Sequence, residues 1–78
     1  MKTVREEAIT QILRARLCSD VRTCGQTVDI VVENDHVELV GVYDTEEQRA
    51  AALMIVLGTH GVRGVEDRLQ VRQVLVLT

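Results

Sequence analysis

Aromatic residues are almost missing from this chain. Tyr43 is the only one in 78 residues, with no tryptophan and no phenylalanine. A base-stacking platform for single-stranded nucleic acid is thereby excluded, and the core must be filled by Val, Leu, Ile and Ala. Positive charge is also short: nine Lys and Arg against twelve Asp and Glu give a net charge of −3. No dense basic patch stands out, so the phosphate neutralisation that polyanion binding requires is not supplied, and nucleic acid is not an expected partner. The same balance weighs mildly against electrostatic docking on anionic lipid.

Long hydrophobic runs are lacking too. The longest, Ala50 to Leu57, is far below the roughly 20 residues needed to span a bilayer. The opening stretch is interrupted by Arg5, Glu6, Glu7, Arg14 and Arg16, which does not read as an export signal, so a cytoplasmic location is expected. In that setting Cys18 and Cys24 are expected to be free thiols. Neither they nor His36 and His60 have ordinary zinc-ligand spacing, and no metal or cofactor is expected. Catalytic signatures are missing as well: no nucleophile elbow, HExxH, P-loop or GxGxxG occurs. The two histidines fall in turns, Ser19-Asp20 reads as loop capping, and Glu46 and Glu47 read as helix-start charges. An enzyme is not expected.

What is present describes one small α+β domain over residues 1–78. Its composition, 46% hydrophobic and 27% charged, is that of an ordinary folded protein. Thr3-Val4-Arg5-Glu6 fits a capping box, and Val4, Ala8, Ile9, Ile12, Leu13 and Leu17 recur at helical spacing, predicting a helix from about Val4 to about Cys18. Residues 27–33 and 36–43 alternate in polarity, with Val28, Ile30 and Val32 on one side of the first strand and Val37, Leu39 and Gly41 on one side of the second. Asn34-Asp35 between them suits a tight hairpin turn. Asp44 or Thr45 caps a second helix that Gly58 stops. A third strand follows, in which Val65, Leu69 and Val71 share a side and Asp67 interrupts it. The order is α-β-β-α-β: two helices packed on one face of a three-stranded mixed sheet of order 1-2-3, its last strand reached by a right-handed crossover. Gly41 and Gly61 are read as structural turn positions.

Val37-Glu38-Leu39-Val40-Gly41, together with the run from Gly61 through Gly64, Val65, Asp67 and Leu69 to Val71, resembles the BON domain, a family named for bacterial osmotically induced and nodulation-associated proteins. The likeness spans about residues 5 to 71. It implies a non-enzymatic module, and association with phospholipid surfaces or envelope components.

Two surfaces stand out for binding. Leu53, Met54 and Leu57 lie in a helix segment that is apolar all round, so some of them should face away from the sheet, towards lipid or a partner. Val31, Val40 and Val42, with Val74 and Val76 of the tail, should make the open sheet face oily; a second subunit, first of all another copy of the chain, is expected to cover it, or the tail to pair at a strand edge. Glu66, Arg68, Gln70 and Arg72 should share that face and pair with Asp29, Glu33 or Glu38. Arg63, Arg68 and Arg72 form a weaker candidate for an anion site, and a small-ligand or ion sensor is the lesser functional alternative.

Overall fold

Two side chains fix where the first helix begins. Thr3 Oγ1 accepts from the Glu6 N–H at 3.1 Å, and Glu6 Oε1 accepts from the Thr3 N–H at 2.8 Å. This reciprocal box satisfies two donors that a helix start otherwise leaves free. In the computed structural model, which describes residues 3–72, the helix α1 runs Val4–Ser19. The strands β1 (Val28–Glu33) and β2 (His36–Tyr43) follow, then the helix α2 (Glu46–Leu57) and the strand β3 (Gly64–Val71). Thr45 caps α2 with the same box, exchanging hydrogen bonds of 3.2 Å with Gln48.

The sheet has the order β1-β2-β3. β1 and β2 pair antiparallel, closing at Glu33 opposite His36, and β2 and β3 pair parallel from His36 opposite Gly64 to Tyr43 opposite Val71. The hairpin turn holds Asn34 at φ 51° and Asp35 at φ 67°. Both central residues are left-handed, as a type I′ turn needs, and Asn and Asp tolerate that region better than other side chains. The turn is also tied to its surroundings. Glu6 Oε2 accepts from the Asn34 N–H at 3.1 Å, Arg5 lies 3.4 Å from the Asp35 carboxylate, and the Asp35 carbonyl accepts from the Arg63 N–H at 2.8 Å.

Both helices cover the same sheet face, α1 over β1 and α2 over β3, and they touch each other. Ile9, Leu13 and Leu17 of α1, Val28, Ile30 and Val32 of β1, Val37, Leu39 and Tyr43 of β2, Ala52 and Val56 of α2, and Leu69 of β3 form the core. The stripe on α1 is narrower than its spacing predicts: Val4 and Ile12 are exposed, and Thr10 is buried in their stead. Thr10 meets the cost of burial by donating its hydroxyl to the Glu6 carbonyl at 2.8 Å.

Asp67 does lie on the helix side of β3, in register with Leu39. Arg49 of α2 reaches it and is held in turn by Glu46. Asp67 Oδ1 also accepts from the Leu69 N–H at 2.9 Å. The break in the apolar pattern is thus a fastening point between α2 and the sheet.

The glycines play three different parts. Gly61 has φ 96°, which turns the chain out of α2 and lets Val62 pack against the core. At Gly64 an added Cβ would sit 2.9 Å from Cδ2 of the His36 ring, its partner across the parallel pair. Gly41 is not at a turn, as the sequence suggested. It lies inside β2 opposite Val28, where a Cβ would come within 3.2 Å of Val28 Cγ2 and 3.3 Å of the Thr27 carbonyl.

Gly61→Ala is expected to cost about 1–2 kcal/mol in urea unfolding, the penalty of a left-handed Cβ. Gly25→Ala, whose methyl would meet nothing within 4 Å, should change stability far less. The Thr3 and Asn34 N–H groups favour the charged Glu6 and hold its carboxyl below the ordinary 4.5. The sign follows: this contribution is fully present above the ordinary carboxylate value and is lost as pH falls through the lowered one. Glu6→Gln should therefore lose less of its urea midpoint than the wild type between about pH 7 and about pH 3.

Candidate functional site

The alternation along three strands sends a second set of side chains to the open side of the sheet. By register, Glu33, His36 and Gly64 form its first row, Val31, Glu38 and Glu66 the next, Asp29, Val40 and Arg68 the third, and Val42 and Gln70 the fourth. Val31, Val40 and Val42 are outward as expected, but only 44%, 36% and 37% exposed. They make a diagonal stripe between charges rather than a continuous oily surface. Arg68 bridges Glu66 at 3.3 Å and Glu38 at 3.6 Å. Arg72 turns to Asp44 at 3.3 Å, while Arg63 precedes β3 at the far end of the strand from Arg72. The three arginines therefore do not converge on an anion site. Val74 and Val76, the other half of the expected interface, lie outside the described residues.

The opposite side of the molecule is different. Of the α2 trio, Met54 is 72% and Leu57 59% exposed, while Leu53 packs against the core and does not belong to the patch. Val4 and Ile12 of α1, and Val21 of the loop that follows it, are exposed as well. The helical layer thus carries the largest and most exposed apolar side chains among the described residues.

Sequence reasoning missed two arginines there. Neither Arg14 nor Arg16 makes an ion pair among the described residues. For Arg14 a signal existed: no carboxylate lies three or four residues away on either side. Arg16 has Asp20 at i+4, but Arg22 takes that carboxylate with two hydrogen bonds, 3.1 and 3.0 Å, and holds it below the usual range. Arg16 instead donates to Thr59 Oγ1 at 3.1 Å, which carries its guanidinium across to the C-terminal end of α2, the end that bears Met54 and Leu57.

A crevice of about 240 Å³ opens between the last turns of α1, the following loop and β1. Leu17, Val28 and Ile30 wall it, Tyr43 lines it, and Arg14, Cys18 and Cys24 stand at its outer part. Both thiols are free and exposed. Tyr43 is fully buried, its hydroxyl has no hydrogen-bond partner among the described residues, and burial raises its pKa above the ordinary value. Among the described residues no three His, Cys, Asp or Glu side chains converge as metal ligands. No described helix is long and apolar enough to cross a membrane.

In comparison with known proteins, the model of the BON domain family matches residues 5–73. A search of curated proteins gives no significant match.

Proposed function

The chain belongs to the BON domain family, and from that premise we propose that it is a non-catalytic binding module that lies on phospholipid surfaces through its helical layer. One observation carries this reading. Met54 and Leu57 are exposed at the end of α2 to which Arg16 reaches, and among the described residues neither Arg16 nor Arg14, which stands on the β1 side of α1, pairs with a carboxylate. Apolar side chains that enter the acyl boundary beside cations that meet lipid phosphates are the requirements of an interfacial helix. The carboxylates Asp29, Glu33, Glu38 and Glu66 lie on the other side, where an anionic surface would not meet them.

The magnitudes describe a reversible contact. Burying Met54 and Leu57 contributes about 1.5–3 kcal/mol each at most, and each arginine near an anionic surface about 1 kcal/mol. The sum corresponds to roughly millimolar to micromolar affinity. Binding of that strength responds to salt, to lipid composition and to the number of copies engaged.

A second reading is supported by the diagonal of Val31, Val40 and Val42: a second copy of the chain packed on the open sheet face. The charges interleaved with those valines favour it less than the sequence alone suggested, since two such faces would oppose like carboxylates.

Co-sedimentation with vesicles separates the two. Anionic vesicles should pellet the protein at low salt and zwitterionic ones should not. Met54→Glu with Leu57→Glu, or Arg14→Glu with Arg16→Glu, should abolish pelleting while the circular dichroism spectrum is retained. Pelleting that survives both pairs would overturn the membrane reading. Light scattering over a concentration series tests the alternative: a dimer disrupted by Val40→Lys supports the sheet-face contact, and a monomer mass throughout excludes it.

A further inference from the structure

We propose that the outer edge of β1, with the crevice beside it, receives the segment 73–78 of a second copy of the chain, added to the sheet as a further strand. The contact goes beyond the membrane reading and leaves Met54, Leu57 and Arg16 untouched. Arg14 stands at the outer part of the crevice and is common to both, so no step below depends on it.

The direction of the backbone comes first. The Tyr43 carbonyl accepts from the Arg72 N–H at 2.7 Å, and the Asp35 carbonyl accepts from the Arg63 N–H at 2.8 Å. Backbone groups alternate in direction along a strand, so the odd-numbered residues of β2 turn theirs to β3 and the even-numbered ones to β1. In the antiparallel register those even-numbered residues, His36, Glu38 and Val40, meet Glu33, Val31 and Asp29. The N–H and C=O groups of Val28, Ile30 and Val32 are left to point away from the sheet. Among the described residues neither a loop backbone nor a side chain bonds to them.

The two edges of the sheet are also unlike. By the same alternation Val65, Asp67, Leu69 and Val71 turn their backbone groups to the outer edge of β3. There Asp67 Oδ1 already accepts from the Leu69 N–H at 2.9 Å, and Arg49 of α2 pairs with Asp67. A side chain thus blunts that edge, as natural proteins do to prevent pairing with another chain. β1 carries no proline, lysine or bulge, and its register with β2 is unbroken. The open edge is therefore the one at β1.

The surroundings of that edge select the occupant. The crevice of about 240 Å³ between α1 and β1 is walled by Leu17, Val28 and Ile30. A strand added beside β1 sends alternate side chains into this space and the others to the open side, next to Val31. An occupant that is apolar on both sides and brings no carboxylate near Asp29 and Glu33 suits that setting. Val74-Leu75-Val76-Leu77 has this character: β-branched residues alternate with leucines, and no charge interrupts them. In its own molecule the segment follows β3, at the opposite edge. The way round the sheet end to the far side of β1 crosses three strand spacings, about 14 Å, and would use about four residues. The segment that lies along β1 therefore comes from another copy. Such a contact joins unlike surfaces, so it repeats from copy to copy unless a ring closes.

Light scattering of the full chain over a concentration series is expected to show a rising mass. Leu75→Lys with Leu77→Lys, both outside the described fold, should return it to a monomer with an unchanged circular dichroism spectrum. A synthetic peptide with the sequence of residues 72–78, added to that variant, should then bind saturably. It should slow the labelling of Cys18 and Cys24, which line the crevice, and slow hydrogen exchange at the Val28, Ile30 and Val32 amides. The same peptide with both leucines changed to lysine should bind at least about tenfold more weakly. A monomer mass at every concentration overturns the proposal, as does association that the double variant does not weaken. So does a peptide that protects the amides of β3 in place of those of β1. No vesicles enter these measurements, so their failure and the failure of the membrane reading are separate results.

Discussion

β2 is the strand on which the rest of the structure depends. Among the described strands it alone is paired on both sides, and it places Val37, Leu39 and Tyr43 at essentially zero exposure beneath the two helices. With Tyr43 the one aromatic in the core, most of the space between the layers is left to smaller side chains. Short branched residues must fill it through close approach, each contributing about 1.5–3 kcal/mol when fully buried. Gly41 belongs to the same requirement: at its position β1 comes too near for a Cβ to fit without displacing Val28.

Much of this was readable before any coordinates. Both capping boxes, the positive-φ hairpin at Asn34-Asp35, the sides of the strands and the sheet order depend on spacing and local backbone preference, which neighbours in sequence determine. What escaped depends on neighbours in space. Val4 and Ile12 fit a helical stripe, yet α1 is roofed only over Ile9, Leu13 and Leu17. Asp67 read as a fault in an apolar strand until Arg49 was seen above it. Thr10 and Thr23 were not read as buried, because the carbonyls that satisfy them become available only once the helix and its exit loop form. The binding surfaces were legible in part. Met54, Leu57, Val31, Val40 and Val42 face outward as periodicity requires. The crevice beside Tyr43 left no trace in sequence, since its walls come from α1, the exit loop, β1 and β2 at once.

The two sides of the molecule are chemically unlike. The open sheet face interleaves valine with carboxylate and closes most of its arginine charge internally. The helical side keeps Met54 and Leu57 in water and, among the described residues, leaves two arginines without a carboxylate. Such an arrangement gives the domain a front and a back, although its net charge of −3 describes only their sum. Charge totals are a poor guide to what a small protein will touch; the placement of each sign decides it.

The unequal spans that join β2 to its neighbours also set a clock. Its link to β1 is closed by Asn34 and Asp35 alone, whereas its link to β3 first closes between His36 and Gly64, with the whole of α2 in between. Loop closure over two residues is fast, and closure over the longer span carries a larger entropic toll. The hairpin can therefore be in place while one edge of β2 still waits for its parallel partner, and in that interval the central strand of the sheet is the one most open to a stranger's backbone.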